Sequence, residues 1–484
     1  MLCYLLFTEL KAQQTFTLAQ QKEDFDVFLG GLKEGHAGLY YFITEKQFRS
    51  KCDSIQATFQ EKASLDSYYL KLRYLITLLR HGHTTINLPY DRYPNYKMSI
   101  LDKTKLYLPF QFIILSGKLY VLSDCSKEQS ISKGSEITTI NGMPSQTLIA
   151  SMRRYLPADG INTTFKDYNL YNYYYFHFLY NLMYPSQDTF VLTTDRDKAK
   201  KIIKARSASE IETTYLALNN KSINKFDNPL RYDATVAANT AYLKIGSFYK
   251  GFIESFGNQY ISFIDTVFTD LNKRNTKQLI LDLRSNEGGG DSYDFILFSH
   301  ISSKPFSSNA VTVAGRAFPF SKYAVNLSDD VKAYIANPNT FLTDNTGLTL
   351  KDEYNGKAFF EPSKDIFKGT IYILINGGSF SAANTFIRNV YNYRNATSQK
   401  IIFVGEENGG DIYSNIQCAG QSYNIKLPHS AIIVNMPILA EGTLNTIYPD
   451  KRLPDYKVDE KIEDIMEGKD GVLQFVLHQI SQEQ

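Results

Sequence analysis

Ser381 stands where an apolar run gives way to a helix. Ile371-Tyr-Ile-Leu-Ile375 is rich in β-branched residues, Asn376-Gly-Gly378 follows, and Ser379-Phe-Ser381 leads into Ala382, Ala383, Phe386 and Ile387 at helical spacing. This reads as strand, tight turn, helix, with Ser381 at the helix start. A hydroxyl there sits at the rim of a sheet, near unpaired backbone N–H groups and the positive end of the helix dipole. That place suits an acyl-transfer nucleophile. The same pattern also describes a plain turn followed by an N-cap.

A hydroxyl nucleophile needs a base. His83 follows an apolar stripe, Leu70, Leu72, Tyr74, Leu75, Leu78 and Leu79, that ends in Arg80-His-Gly-His-Thr84. Gly82 is the expected helix terminator, so His83 lies in a turn ahead of a strand. His81 and His36 compete for the role. Glu406, Asp411, Glu441 and Asp455 are candidates for a group that orients the histidine, and all are also ordinary loop residues. Gly288, Gly289 and Gly290 follow the apolar run Gln278-Leu-Ile-Leu-Asp-Leu-Arg284. A glycine loop there could cradle a phosphate or offer N–H groups to an oxyanion, or be a tight loop with no role. It fits neither G-x-G-x-x-G nor the Walker pattern.

The elements that would position these residues fall into several stretches. From about Glu23 to Leu79 the periodicity is helical. From about 107 to 195 the chain looks β-rich. Phe110–Leu115 and Leu119–Leu122 flank Ser116-Gly117, a hairpin signal. Lys133-Gly-Ser-Glu-Ile-Thr-Thr-Ile-Asn-Gly-Met-Pro144 predicts a strand, an Asn-Gly turn and then a helix over 145–155. This stretch resembles the "G-D-x-I-x-x-I-N-G" segment of PDZ domains, with Ser135 at the usual Asp position. Residues 196–231 read as connecting structure. Beyond about Asp233, strands and helices alternate, which predicts a layered α/β core. Phe252 to Leu271 reads as one long amphipathic helix. Residues 302–367 read as an excursion, with a lid over the site as one reading.

Composition narrows the function classes. The chain has 484 residues, 52 Lys+Arg against 50 Asp+Glu, and a formal net charge of +2. No basic surplus is present for nucleic acid. No stretch reaches the about 18 consecutive apolar residues of a membrane span. Cys3, Cys52, Cys125 and Cys418 match no metal spacing, and neither a metal nor a cofactor is expected. The short apolar run Leu2–Phe7 reads as the end of a signal segment over residues 1–14 whose start lies upstream, which predicts a periplasmic or secreted location.

Taken together, the motifs resemble those of tail-specific, or C-terminal processing, serine peptidases. Leu279-Ile-Leu-Asp-Leu-Arg-Ser-Asn-Glu-Gly-Gly289 is similar to their "L-I-x-D-L-R-x-N-x-G-G" segment. Ile373-Leu-Ile-Asn-Gly-Gly-Ser-Phe-Ser-Ala-Ala383 is similar to their nucleophile segment, which shifts the assignment from Ser379 to Ser381. Val404-Gly-Glu406, and Leu453-Pro-Asp-Tyr-Lys-Val458 with Gly468-Lys-Asp470, complete the set. Many members use a Ser–Lys dyad with the lysine after "V-G-E". Here Asp411 stands near that place. A second branch, similar to tricorn protease and the retinoid-binding repeats, uses a histidine in an "H-T" stretch, which His83-Thr84 matches.

The resemblance implies an α/β fold: a crotonase/ClpP-like layered α/β core over 232–484, a helical N-terminal region over 20–100 and a small PDZ-like module over 105–195. It implies a serine peptidase acting on peptide or protein substrates. Ser381 would be the nucleophile and His83 the base, with N–H groups of Gly288 or Gly289 and of Ala382 as the oxyanion hole. A catalytically silent binding protein of the same fold is the alternative, and a crotonase-like acyl-CoA enzyme is a third. A short Ser381–His83 distance would favour the enzyme over the binder.

Overall fold

The structure, a computed structural model, describes residues 15–89, 105–172, 175–220, 227–307, 311–314, 319–327, 329, 332, 341–344, 347–350, 359–412, 416–418, 422–442 and 454–483. The expected signal segment over residues 1–14 lies outside them.

Six strands form the central sheet, in the order Leu230–Ala237, Thr240–Ile245, Gln278–Asp282, Thr370–Ile375, Ile401–Gly405, Tyr456–Lys457. The first pair is antiparallel and every later pair is parallel. Parallel strands need crossovers, and helices supply them: Tyr260–Lys273 and Ala382–Asn395 are two. Both faces are covered. Leu279, Leu281, Ile371 and Ile373 pack against Ile264, Phe268, Leu297, Phe386 and Val390. Ile280, Tyr372 and Leu374 pack against Val472, Val476 and Ile480 of the C-terminal helix Gly471–Glu483. Burial on both sides explains why these strands read as continuous apolar runs without alternation.

Two of the recognised motifs meet beneath this sheet. Arg284 forks onto Asp282, Nε to Oδ1 at 3.0 Å and Nη2 to Oδ2 at 2.7 Å. It also forks onto Asp470, Nη1 to Oδ1 at 2.9 Å and Nη2 to Oδ2 at 2.6 Å. Tyr242 donates to Asp282 Oδ2 at 2.7 Å. The fully buried Asp282 carboxylate is thus satisfied on both oxygens, as a charge out of water requires.

A second hydrophobic core lies over the N-terminal part. It joins the helices Leu18–Gly35 and Leu65–Leu78 to the hairpin Phe110–Leu115/Lys118–Asp124, and to Tyr423, Ile425, Val434 and Met436 from late in the chain. Strand Thr85–Asn87 pairs with Ile433–Pro437. Residues 422–438 therefore pack with the N-terminal region.

Several boundaries differ from the expectations. The 252–271 pattern forms two helices, Lys250–Glu254 and Tyr260–Lys273, with Gly257 at φ +76 between them. Residues 196–231, read as connecting structure, hold strand Lys201–Lys204, paired with Thr189–Thr194, and helix Ala208–Asn219. That helix starts with a capping box in which Ser207 and Glu210 each accept the other's backbone N–H. The stretch 164–183, within the β-rich expectation, is mostly helix, Thr164–Tyr171 and Tyr175–Met183. Within 302–367, Val311–Ala314 pairs with Gly347–Leu350 and with Leu439–Gly442 in a five-stranded sheet. No described helix is long and apolar enough to cross a membrane.

Candidate active site

The loops after Gln278–Asp282 and Thr370–Ile375 leave the carboxyl ends of adjacent parallel strands, where α/β sheets commonly place their sites. Side-chain and backbone bonds stitch these loops together. Asn376 Oδ1 accepts from Ser285 N at 2.8 Å and Gly378 N at 3.0 Å, and Phe380 N donates to Asn286 O at 3.0 Å. Ser379 is fully buried and donates to Leu283 O at 2.8 Å, so its hydroxyl is engaged in holding the loops.

Ser381 is different. It is only partly buried and sits at the cap of Ala382–Asn395 with φ 57 and ψ −121. A non-glycine residue at positive φ and this ψ is strained, and such strain persists where the surroundings over-determine it. Its Oγ lies 2.9 Å from His83 Nε2. The structure thus brings together Ser381 and His83 from positions 298 residues apart.

The histidine turn is built from several contacts. Helix Leu65–Leu78 ends at Leu79, and the left-handed residue is Arg80, at φ 57, rather than Gly82. Gly82 is needed for space instead: a Cβ there would lie 2.6 Å from the Phe380 ring. His36 Nε2 bonds Thr84 Oγ1 at 2.7 Å, and His81 Nε2 donates to Gly38 O at 3.0 Å. These two competing histidines therefore brace the turn. His83 stacks on Phe380, and Phe380 stacks on Phe165 with ring centroids 4.0 Å apart.

Burial disfavours the imidazolium and pushes His83 down to about 4. With Ser381 Oγ–H donating to Nε2, the ring proton sits on Nδ1, which has no hydrogen-bond partner among the described residues. Of the candidate acids, Glu406 accepts from Gly377 N at 3.2 Å, and burial raises it to about 7. Asp455 pairs with Arg394 at 2.5 Å. Asp411 abuts Gly160 and donates its backbone N–H to the Asp159 carboxylate. Glu441 lies in strand Leu439–Gly442, and its side chain lies outside the description.

The glycine loop abuts the serine. A Cβ on Gly288 would lie 2.7 Å from both Ala382 N and Ser381 Cβ, and its φ is +96. A Cβ on Gly289 would lie 2.1 Å from the Phe248 carbonyl carbon. Gly288 N donates to Asn286 Oδ1 at 2.9 Å, whereas Gly289 N and Ala382 N carry no bond among the described residues. Asn286, fully buried, also donates to Ile245 O at 2.9 Å. Sequence reasoning passed over Asn286, Phe380 and Asp159. Only Asn286 had a local signal, its place ahead of the glycines.

A layered α/β core that carries a strained serine beside a histidine is the arrangement expected of a serine peptidase. Residues 239–414 match the family model described as Peptidase family S41, in line with the resemblance of the motifs to tail-specific serine peptidases. Peptide or protein is therefore its substrate class. Among solved structures, mature CPAF is similar, at 14% identity and a TM-score of 0.59 over 92% of this chain and 94% of that one. Mature CPAF complexed with lactacystin gives 13% and 0.60, over 94% and 97%. At such identities the likeness speaks for the fold. No curated protein matches the sequence.

Proposed function

We propose that this serine peptidase works through an acyl-enzyme, with Ser381 as nucleophile and His83 as base. The observation that carries the reading is the 2.9 Å approach of His83 Nε2 to Ser381 Oγ, at a serine held at φ 57. His83 Nε2 takes the Ser381 proton as Oγ attacks the peptide carbonyl carbon. The imidazolium then gives that proton to the leaving amine. Water, deprotonated by the same nitrogen, attacks the ester and releases the acid product.

The oxyanion is assigned to Ala382 N–H and the glycine loop. Within that loop Gly289 N–H is the donor without a present partner, and Gly288 contributes by leaving room beside Ser381. Loss of one such donor typically slows the reaction by about 100- to 1,000-fold.

The test is labelling with a fluorophosphonate, followed by mapping of the modified residue. The expected adduct is on Ser381, and Ser381→Ala abolishes both adduct and proteolysis. Unchanged proteolysis by folded Ser381→Ala would overturn the assignment.

A further inference from the structure

The elements that flank His83 (Leu79, Ile86) and follow Ser381 (Ala383, Phe386) pack in different hydrophobic cores, so something must hold the two segments in register. The segment 158–164 is bonded to the histidine turn and to the loop after Ile401–Gly405, and that loop donates Gly409 N–H to Ser379 O, beside the serine, at 2.9 Å. Toward the histidine turn, Gly160 N donates to Arg80 O at 2.9 Å, and Gly82 N donates to Asp159 Oδ1 at 2.7 Å. Toward the loop after Ile401–Gly405, Asn162 Nδ2 donates to Asn408 O at 2.8 Å, and Thr164 Oγ1 donates to Glu407 O at 2.8 Å. The Asp159 carboxylate also accepts the backbone N–H of Asp411, so this one side chain touches both partners.

We propose that Asp159 is a positioning residue of the peptidase: its carboxylate joins the backbone of Gly82, next to His83, to the loop that holds Asp411, and so fixes the aim of His83 at Ser381. This rests on the reading of His83 and Ser381 as base and nucleophile. The physical argument is that Gly82 N–H precedes the His83 backbone directly. Any slide of that amide moves the imidazole, and misplacement by about 1 Å can cost on the order of 100-fold in rate. Asp159 is itself buried, so without it both N–H groups lose an acceptor that water is badly placed to replace.

The charge state of Asp159 is shaped by its neighbours. Burial raises it to about 7, and the facing Asp411 carboxylate adds to the rise, while the two N–H bonds oppose it. Arg80 and Lys166 stand round the surface recess beside Gly160, and His81 and His83 flank Gly82 in the turn.

The experiment measures fluorophosphonate inactivation, as separate kinact and KI, for the full chain, Asp159→Ala, Asp159→Asn and His83→Ala. Asp159→Ala is expected to lower kinact about 10-fold or more with KI changed less than about threefold. Asp159→Asn keeps an oxygen for Gly82 N–H and is expected to recover most of that loss. A purely structural role would lower the folded fraction and leave kinact of the folded protein unchanged, which overturns the proposal, as does an Asn variant no better than Ala. If Asp159→Ala does not fold, the Asn variant decides by its pH profile. The parent is expected to show a step near 7 that Asp159→Asn lacks, and identical profiles overturn the proposal. Unchanged kinact in His83→Ala would instead sink the catalytic reading itself.

Discussion

His83 and Phe380 lie face to face, with ring centroids 4.7 Å apart and planes inclined by 24°. Phe380 immediately precedes Ser381, so the residue next to the proposed nucleophile serves as the platform for the proposed base. The other face of Phe380 is covered by Phe165. Phe380→Ala should therefore do two things. Removal of a buried phenylalanine should cost about 3–5 kcal/mol of stability, read as the urea midpoint. The kinact of the protein that remains folded should fall as well, because His83 loses its platform. Unchanged kinact in the folded fraction would show that the stack plays no part in aiming the ring.

The base itself should answer to substitution more strongly. His83→Gln keeps a polar side chain of similar reach but cannot accept and return a proton at neutral pH. General-base catalysis contributes about 100- to 10,000-fold, and kcat should fall by that order while far-UV circular dichroism is unchanged.

Gly288→Ala tests the approach of the glycine loop. The added methyl would lie 2.7 Å from Ser381 Cβ and Ala382 N, at a backbone φ of +96 that suits glycine. Fluorophosphonate labelling should drop by about 100-fold or more, in line with loss of an oxyanion contact. Labelling at the parental rate would remove Gly288 from the vicinity of the reacting oxygen.

The pH profile has two separable parts. His83 is depressed to about 4, so its neutral form, the one able to accept a proton, persists well below the ordinary histidine range. Its limb in kcat/KM, which reports the free enzyme, should lie near 4. Asp159 is raised to about 7 and ionises only above that. A step near 7 that is present in the parent and absent from Asp159→Asn, with the limb near 4 kept in both, would separate the two groups. A single limb near 6.5 would mean that His83 is more solvated than its place in the fold indicates.

Arg284→Met should be the most damaging change away from the site. It leaves Asp282, fully buried, without its cation, and stranding one member of a buried pair typically costs about 3–5 kcal/mol. The urea midpoint measures it. A shift of only a few tenths of a kcal/mol would mean that water reaches Asp282 after substitution.

The central sheet was legible in the sequence because its strands are buried on both faces and therefore advertise themselves as apolar runs. The run at 278–284 became strand Gln278–Asp282, and that at 371–375 became Thr370–Ile375. Ser381 and His83 could be singled out because each sits at a turn next to a strongly patterned element. What could not be read were features whose meaning depends on a distant partner. Asp159 looks like any loop aspartate until Gly82, 77 positions away, is found against it. Phe380 looks like a core residue until His83 lies on it. The helix break between Glu254 and Tyr260 escaped because the apolar spacing runs across it almost in phase. The capping box at Ser207 and Glu210 was present as a local signal within a stretch read as connecting structure.

The wide separation of His83 and Ser381 along the chain also bears on when the proposed pair can first form. During synthesis the segment carrying His83 is made early, and Ser381 emerges almost three hundred residues later. A nascent chain short of that point holds a base with nothing to activate. Strand Thr85–Asn87, directly after His83, pairs with Ile433–Asn435, which is made later still. On the roles proposed for the two residues, a growing polypeptide would have no base beside its serine before both parts of the chain are made.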